Sequence, residues 1–379
     1  MLLLHAKLYF SNDEAKKEQF LNATDHSKAN AFHNAANCES TSLMELLVDN
    51  LDKKLVNAIG KGGATPLLAA TCFGNSKYIK ILLSAGADVA ASDSSGLGPL
   101  HLAAVSLKQR CKLERTMQVL VDAGADVEQA NDHGETPLHF ACWENNEIAV
   151  RFLVRNGAIV NSVCTSGWTP LHYATVNSTN VEVLKFLIES GADVDGNASE
   201  SVRPPLFFAI RKKNIPFVQI LIDSGANVNY TSTDGFTPFH IALELNDKCF
   251  SDDLILNLMS PVADKASPIT HHIYISLHFA VSQCRPKVVQ SILERVISDG
   301  TYIETTDGTS SNTPLHSCAK SCMGEAGTYI ATMLLMAGAN AAAIDSNGMT
   351  PLDVAIAESN EAVVRTLREL GPNKRPRKH

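Results

Sequence analysis

The sequence predicts an all-α solenoid of about ten helix–turn–helix units with short β-turn hairpin loops. Three observations carry that expectation. One phrase, Thr-Pro-Leu-His or a near variant, starts at Thr65, Gly98, Thr136, Thr169, Thr237, Thr313 and Thr350. A second, Gly-Ala followed by Asp or Asn, returns at Gly86, Gly124, Gly191, Gly225 and Gly338, and as Gly157-Ala158-Ile159. The turn glycines or their equivalents (Gly63, Gly96, Gly134, Gly167, Val202, Gly235, Ile273, Ser311 and Gly348) stand 33 to 38 residues apart. A period of this length marks units that cannot bury their apolar faces alone and do so against their neighbours.

Each element follows in order. Residues 1–27 set a charged run, Asp13 to Glu18, among Leu8, Phe10, Phe20 and Leu21, as an amphipathic helix would; disorder is the alternative. A degenerate opening unit spans 28–62, with Phe32-His33-Asn34-Ala35-Ala36 as first helix and 43–48 as second. In the regular units, Thr-Pro opens the first helix: the Thr hydroxyl caps free amides, and Pro lacks an N–H where none is needed. Leu138, Ala141 and Cys142 then share one face, and Ile148, Phe152 and Leu153 form the stripe of the second helix. Gly157 ends that helix because the left-handed cap suits Gly, and the polar run 161–167 reads as a turn. The longer steps hold extra residues at 107–115, 245–253 and 322–327, expected as loops on one face. Between 259 and 313 the pattern weakens: Ile275-Ser276-Leu277-His278 keeps Leu-His but loses Thr-Pro, and Pro261 and Pro268 interrupt. Gly371-Pro372 stops the last helix, and 373–379 is a basic tail.

Residues 28–372 thus resemble the ankyrin repeat, the signature residues being the Thr-Pro-Leu-His and Gly-Ala-Asp phrases. The resemblance implies non-catalytic protein binding, as a scaffold, adaptor or inhibitor holding a partner on a concave groove. It places turn tips and first-helix ends in that groove. These are His133, Glu135, Trp143 and Glu144 in one unit and Trp168 and Asn177 in the next. The following two supply Arg203, Arg211 and Lys212, then Asp234, Phe236 and Glu244. It also implies a structural role, bonding within and between hairpins, for the seven histidines at one repeated place: His33, His101, His139, His172, His240, His278 and His316.

Composition narrows the function further. A formal charge of −8 disfavours direct nucleic-acid binding, which rests on many Lys and Arg contacts to phosphate. The nine cysteines include no Cys-x-x-Cys pair, and Cys72, Cys142 and Cys318 fall on apolar helix faces, as reduced thiols of a cytoplasmic or nuclear protein do. Met1 to Leu4 is too short an apolar run for a signal peptide or membrane span. His271-His272 has no clear third ligand, and no catalytic triad, phosphate loop or His-Glu-x-x-His motif occurs, so no metal, cofactor or catalytic residue is expected. Lys374, Arg375, Arg377 and Lys378 are similar to a short nuclear-import signal. A monomer binding one or more proteins is the leading expectation. The alternatives are a substrate-recruiting adaptor of a ubiquitin ligase, for which the seven residues after Pro372 are short of a helical box, and an enzyme with its site in 259–313.

Overall fold

The computed structural model describes residues 29–36, 53–107, 109–177, 180–197, 202–233, 235–245, 250–259, 270–296, 303, 306 and 310–371. The expected amphipathic segment 1–27, the helix at 43–48, Asp234 and the basic residues Lys374, Arg375, Arg377 and Lys378 lie outside the described residues, as do the side chains of His271 and His272. Nineteen α-helices and no strand occur among the described residues. Contacts divide the chain into two compact units, Met1–Pro205 and Leu206–His379.

The first unit holds α1 (Ala31–Ala35), α2 (Pro66–Phe73), α3 (Ser76–Ser84), α4 (Pro99–Ser106), α5 (Arg110–Asp122), α6 (Pro137–Trp143), α7 (Glu147–Arg155), α8 (Pro170–Asn177) and α9 (Val181–Glu189). From α2 onward, each even-numbered helix opens a hairpin and the odd-numbered one closes it. First helices pack on first helices of the adjacent hairpin, and second on second. Leu100, Ala103, Leu138, Ala141, Cys142, Leu171 and Ala174 from the first helices are buried against Leu82, Leu113, Met117, Leu120, Val150, Leu153, Leu184 and Leu187 from the second. Alanine at the contact face lets thin hairpins approach, and each hairpin's apolar surface is completed only by its neighbours.

The second unit repeats the arrangement with α10 (Pro205–Arg211, its first residue closing the first unit), α11 (Ile215–Asp223), α12 (Pro238–Glu244), α13 (Asp252–Leu258), α14 (Thr270–Ser282), α15 (Pro286–Val296), α16 (Pro314–Ser321), α17 (Gly324–Met336), α18 (Pro351–Ala357) and α19 (Glu361–Leu370). Here α12, α14, α16 and α18 stack in sequence, as do α11, α13, α15, α17 and α19.

The repeated histidine joins one hairpin to the next. In α6 the Thr136 amide donates to His139 Nδ1 at 3.1 Å, and Nε2 lies 3.1 Å from the Trp168 carbonyl in the following turn tip. Because Nδ1 accepts from an N–H, the proton sits on Nε2 and is donated to the carbonyl. His101 bridges to the Glu135 carbonyl at 3.0 Å, His172 to that of Arg203 at 3.1 Å, His33 to Ala64 at 2.9 Å and His316 to Met349 at 3.0 Å. His240 keeps the bond from the Thr237 amide at 3.1 Å, whereas His278, without a Thr cap, meets Ser317 Oγ through Nδ1 at 3.2 Å.

The tips form a second connection. Asn131 N donates to Glu135 O at 2.9 Å within its tip, and Thr165 N reaches back to His133 O at 2.9 Å in the preceding one. Asn161 adds a side-chain clamp, donating to Gly191 O at 2.9 Å and accepting from Asp193 N at 2.8 Å.

Three sequence expectations need correction. Where a His follows, the Thr hydroxyl does not cap an amide: it donates to imidazole Nδ1, at 3.0 Å in Thr136 and 2.8 Å in Thr313. Amide capping by Thr survives where the third helical residue is not His, as from Leu68 to Thr65 Oγ1 at 3.3 Å. The additional residues at 107–115 and 322–327 enter helix more than loop, because α5 and α17 have 13 residues against nine in α3, α7 and α9. Ile273, expected at a turn, lies inside α14; with neither Gly nor Pro between Thr270 and Ser282, that helix starts early. Gly371 ends α19 as expected, in an extended conformation, φ −64° and ψ −176°.

At one repeat the opening residue is Gly98 rather than Thr. A Cβ there would overlap the side-chain amide of Gln129, which crosses the space to donate to Ala90 O at 3.1 Å.

Gly157, at φ 92°, has nothing within 4 Å of where a Cβ would stand, so substitution there is opposed by backbone conformation alone. Gly157→Val is expected to cost about 2 kcal/mol, read as a lower urea midpoint, and an unchanged midpoint would refute the left-handed cap.

Burial lowers His139 and His172 from 6.5 to about 4. Between those values the unfolded chain binds the protons and the folded chain does not, so stability is complete above pH 6.5 and is lost as pH falls toward 4. The loss should approach about 3 kcal/mol per histidine, measured as urea unfolding free energies along a pH series, and His139→Gln/His172→Gln should flatten the slope.

Candidate functional site

In the first unit the side chains that helix packing does not consume gather around Tyr173. It follows His172 in the first turn of α8. Its ring lies edge-on to Trp143 at 5.9 Å between centroids, to Trp168 at 5.7 Å and to His139 at 5.2 Å. Such T-shaped contacts place the positive edge of one ring over the negative face of another. The Tyr173 hydroxyl donates to Glu135 Oε1, and Cys164 Sγ stands 3.9 Å from it. Burial, then the bond to the Glu135 carboxylate, pushes that hydroxyl well above the usual phenol range. The other Glu135 carboxylate oxygen accepts from Asn131 Nδ2 at 2.8 Å.

The groove residues read from the sequence divide in consequence. Glu135, Trp143 and Trp168 converge on Tyr173, and Asn177 Nδ2 donates to the Trp143 carbonyl at 2.7 Å, tying the end of α8 to the end of α6. Glu144 caps α6. His133 is exposed at the tip, and Arg203 lends its carbonyl to His172. In the second unit Arg211 and Lys212 are exposed at the end of α10, Glu244 is exposed at the end of α12, and Phe236 is half-buried edge-on to His240 at 6.1 Å. The two tryptophans also differ. Trp143 is 39% exposed, whereas Trp168 is half-buried and stacks on His172 with 24° between the rings, so part of its surface serves its own hairpin.

Tyr173 escaped the sequence reading. The one available signal was internal: the residue after the repeated His varies, being Asn34, Leu102, Phe140, Tyr173, Ile241, Phe279 and Ser317, and is Tyr only at 173.

This arrangement suits recognition. The imidazoles are held between a helix cap and a carbonyl, and burial raises the Cys142 thiol far above the thiolate range. Among the described residues no group of three or more His, Cys, Asp or Glu could hold a metal ion, and no helix is long and apolar enough to cross a membrane.

Comparison with known families agrees with the hairpin geometry. The family model described as "Ankyrin repeats (3 copies)" matches residues 4–93, 32–131, 100–198 and 277–378. A second, "Ankyrin repeats (many copies)", matches 176–222 and 206–247. The chain belongs to the ankyrin-repeat family. Ankyrin repeats generally mediate protein–protein interaction. The matches leave 248–276 uncovered, which overlaps the stretch of weakened spacing, and they reach back to residue 4, before the opening unit. No curated relative matches the chain.

Tyr173→Phe keeps the ring that both tryptophans contact and removes only the bond to Glu135. The expected result is a loss of about 1 kcal/mol in urea unfolding with tryptophan emission unchanged, whereas Tyr173→Ala should shift that emission to the red.

Proposed function

We propose that this ankyrin-repeat chain is a non-catalytic binding protein that holds a partner against the first-helix and turn-tip face carrying Trp143, Tyr173 and Trp168. The observation that supports it most is Trp143, a large apolar side chain 39% exposed beside two further aromatics at a place where the hairpins already close their core without it. Aromatic anchors of this kind dominate interface hot spots. The acidic neighbours Asp132, Glu135 and Glu144 favour a partner that brings Lys or Arg alongside its apolar contact. In the second unit, taken by itself, Arg211, Lys212 and Glu244 are exposed at first-helix ends and form a separate candidate surface. A scaffold, adaptor or inhibitor working in the cytoplasm or nucleus fits this reading.

The test begins with affinity purification and mass spectrometry from the native cell, followed by titration of the recovered partner. Trp143→Ala/Trp168→Ala leaves the Trp168 carbonyl in place for His139, so the variant is expected to fold. It should bind the partner about a hundredfold more weakly. Equal affinity of the folded variant would move the site off this face.

A further inference from the structure

The opposite side of the first unit carries a second feature. The second helices α5 and α7 run side by side and enclose a furrow of about 690 Å³. The extra residues of this repeat lengthen α5 at its N-terminal end and add Arg110 to one wall, with Arg115 further along; Arg151 and Arg155 stand on the other wall. Ile148 and Phe152, both half-buried and four residues apart, lie between them.

The four arginines are unequally engaged. Arg110 pairs with Glu114 at 3.2 Å. Arg151 pairs with Glu147 at 2.8 Å and also covers the Phe186 ring at 4.4 Å. Glu147 is further neutralised by Asn180 Nδ2 at 3.2 Å, and its carboxyl is held below the usual range by Arg151 first and by Asn180 next. Arg115 and Arg155 meet no carboxylate or hydrogen-bond acceptor among the described residues. Each carboxylate of the furrow is thus satisfied while two guanidinium groups, one per wall, are not, in a chain whose formal charge is −8.

We infer that this furrow is a docking site for an acidic amphipathic helix of a partner protein. Arg115 and Arg155 would each take a carboxylate in bidentate geometry, and the apolar side chains of the docked helix, spaced three and four apart, would cover Ile148 and Phe152. The nine residues from Arg110 to Gln118 rise about 12 Å along the helix, so two to three turns of the ligand would fill the furrow. The site is distinct from the aromatic face and does not depend on it.

The probe is a fluorescein-labelled helical peptide with one stripe of Glu and an adjoining stripe of Leu, titrated by anisotropy against the full chain. Binding should be saturable, weaken as salt rises, and fall about tenfold or more in Arg115→Glu/Arg155→Glu. Lys77→Glu/Lys80→Glu, the same charge change at exposed positions of α3, should leave it unaltered. If the Glu variant unfolds on circular dichroism, Arg115→Gln/Arg155→Gln replaces it, with a smaller loss expected. No binding by the native chain, or an equal loss in the α3 control, overturns the proposal. So does binding of phosphatidylserine vesicles, in place of the peptide, that is lost with Arg115 and Arg155.

Discussion

An imidazole held between two backbone groups is the connection on which the rest of the molecule depends. Its Nδ1 fixes the entrance of a helix, and its Nε2–H satisfies a carbonyl in the following tip. One side chain therefore sets both the start of a hairpin and its spacing to the next. A neutral ring is required on both counts, since a protonated Nδ1 would face the amide hydrogen that it now accepts. The same arrangement removes the histidines from chemistry. Groups that would suggest catalysis in a globular enzyme are here consumed by register.

Once register is secured by small and buried residues, the remaining surface is free to vary. The position after the histidine shows this best. It is an apolar or hydroxyl residue in most units, but at Tyr173 it becomes the post around which Trp143, Trp168 and Glu135 are arranged. The long α5 shows it on the other side of the hairpins, where added residues build a charged wall without disturbing Leu113, Met117 and Leu120 beneath.

Most of the fold was legible because its instructions are local and repeated. Thr-Pro opens a helix at each of its occurrences, the Gly of each Gly-Ala phrase follows a second helix with a left-handed φ, and Ser311, read as standing in for a turn glycine, takes a left-handed φ of 54°. What escaped was of two kinds. At 107–115 the residues Lys112, Leu113, Glu114 and Arg115 are all good helix formers, yet counting from repeat to repeat treated them as excess and so as loop. At 270–275 the missing turn residues permitted a helix that a periodic reading interrupts. The candidate surface was legible only in part for the opposite reason. Recurrence marks the scaffold and leaves out Tyr173, which matters because it does not recur.

Gly98 and Gln129 carry a consequence for anyone redesigning the chain. Placing the usual threonine at 98 would restore a hydroxyl for His101 and at once evict the Gln129 amide from its bond to Ala90. The two positions, 31 residues apart in one repeat, therefore form a single unit of choice, tied through Ala90 to the repeat before. Consensus substitution made one position at a time would meet a conflict here that neither position shows alone. The hairpins are alike in form, but they are not interchangeable cassettes.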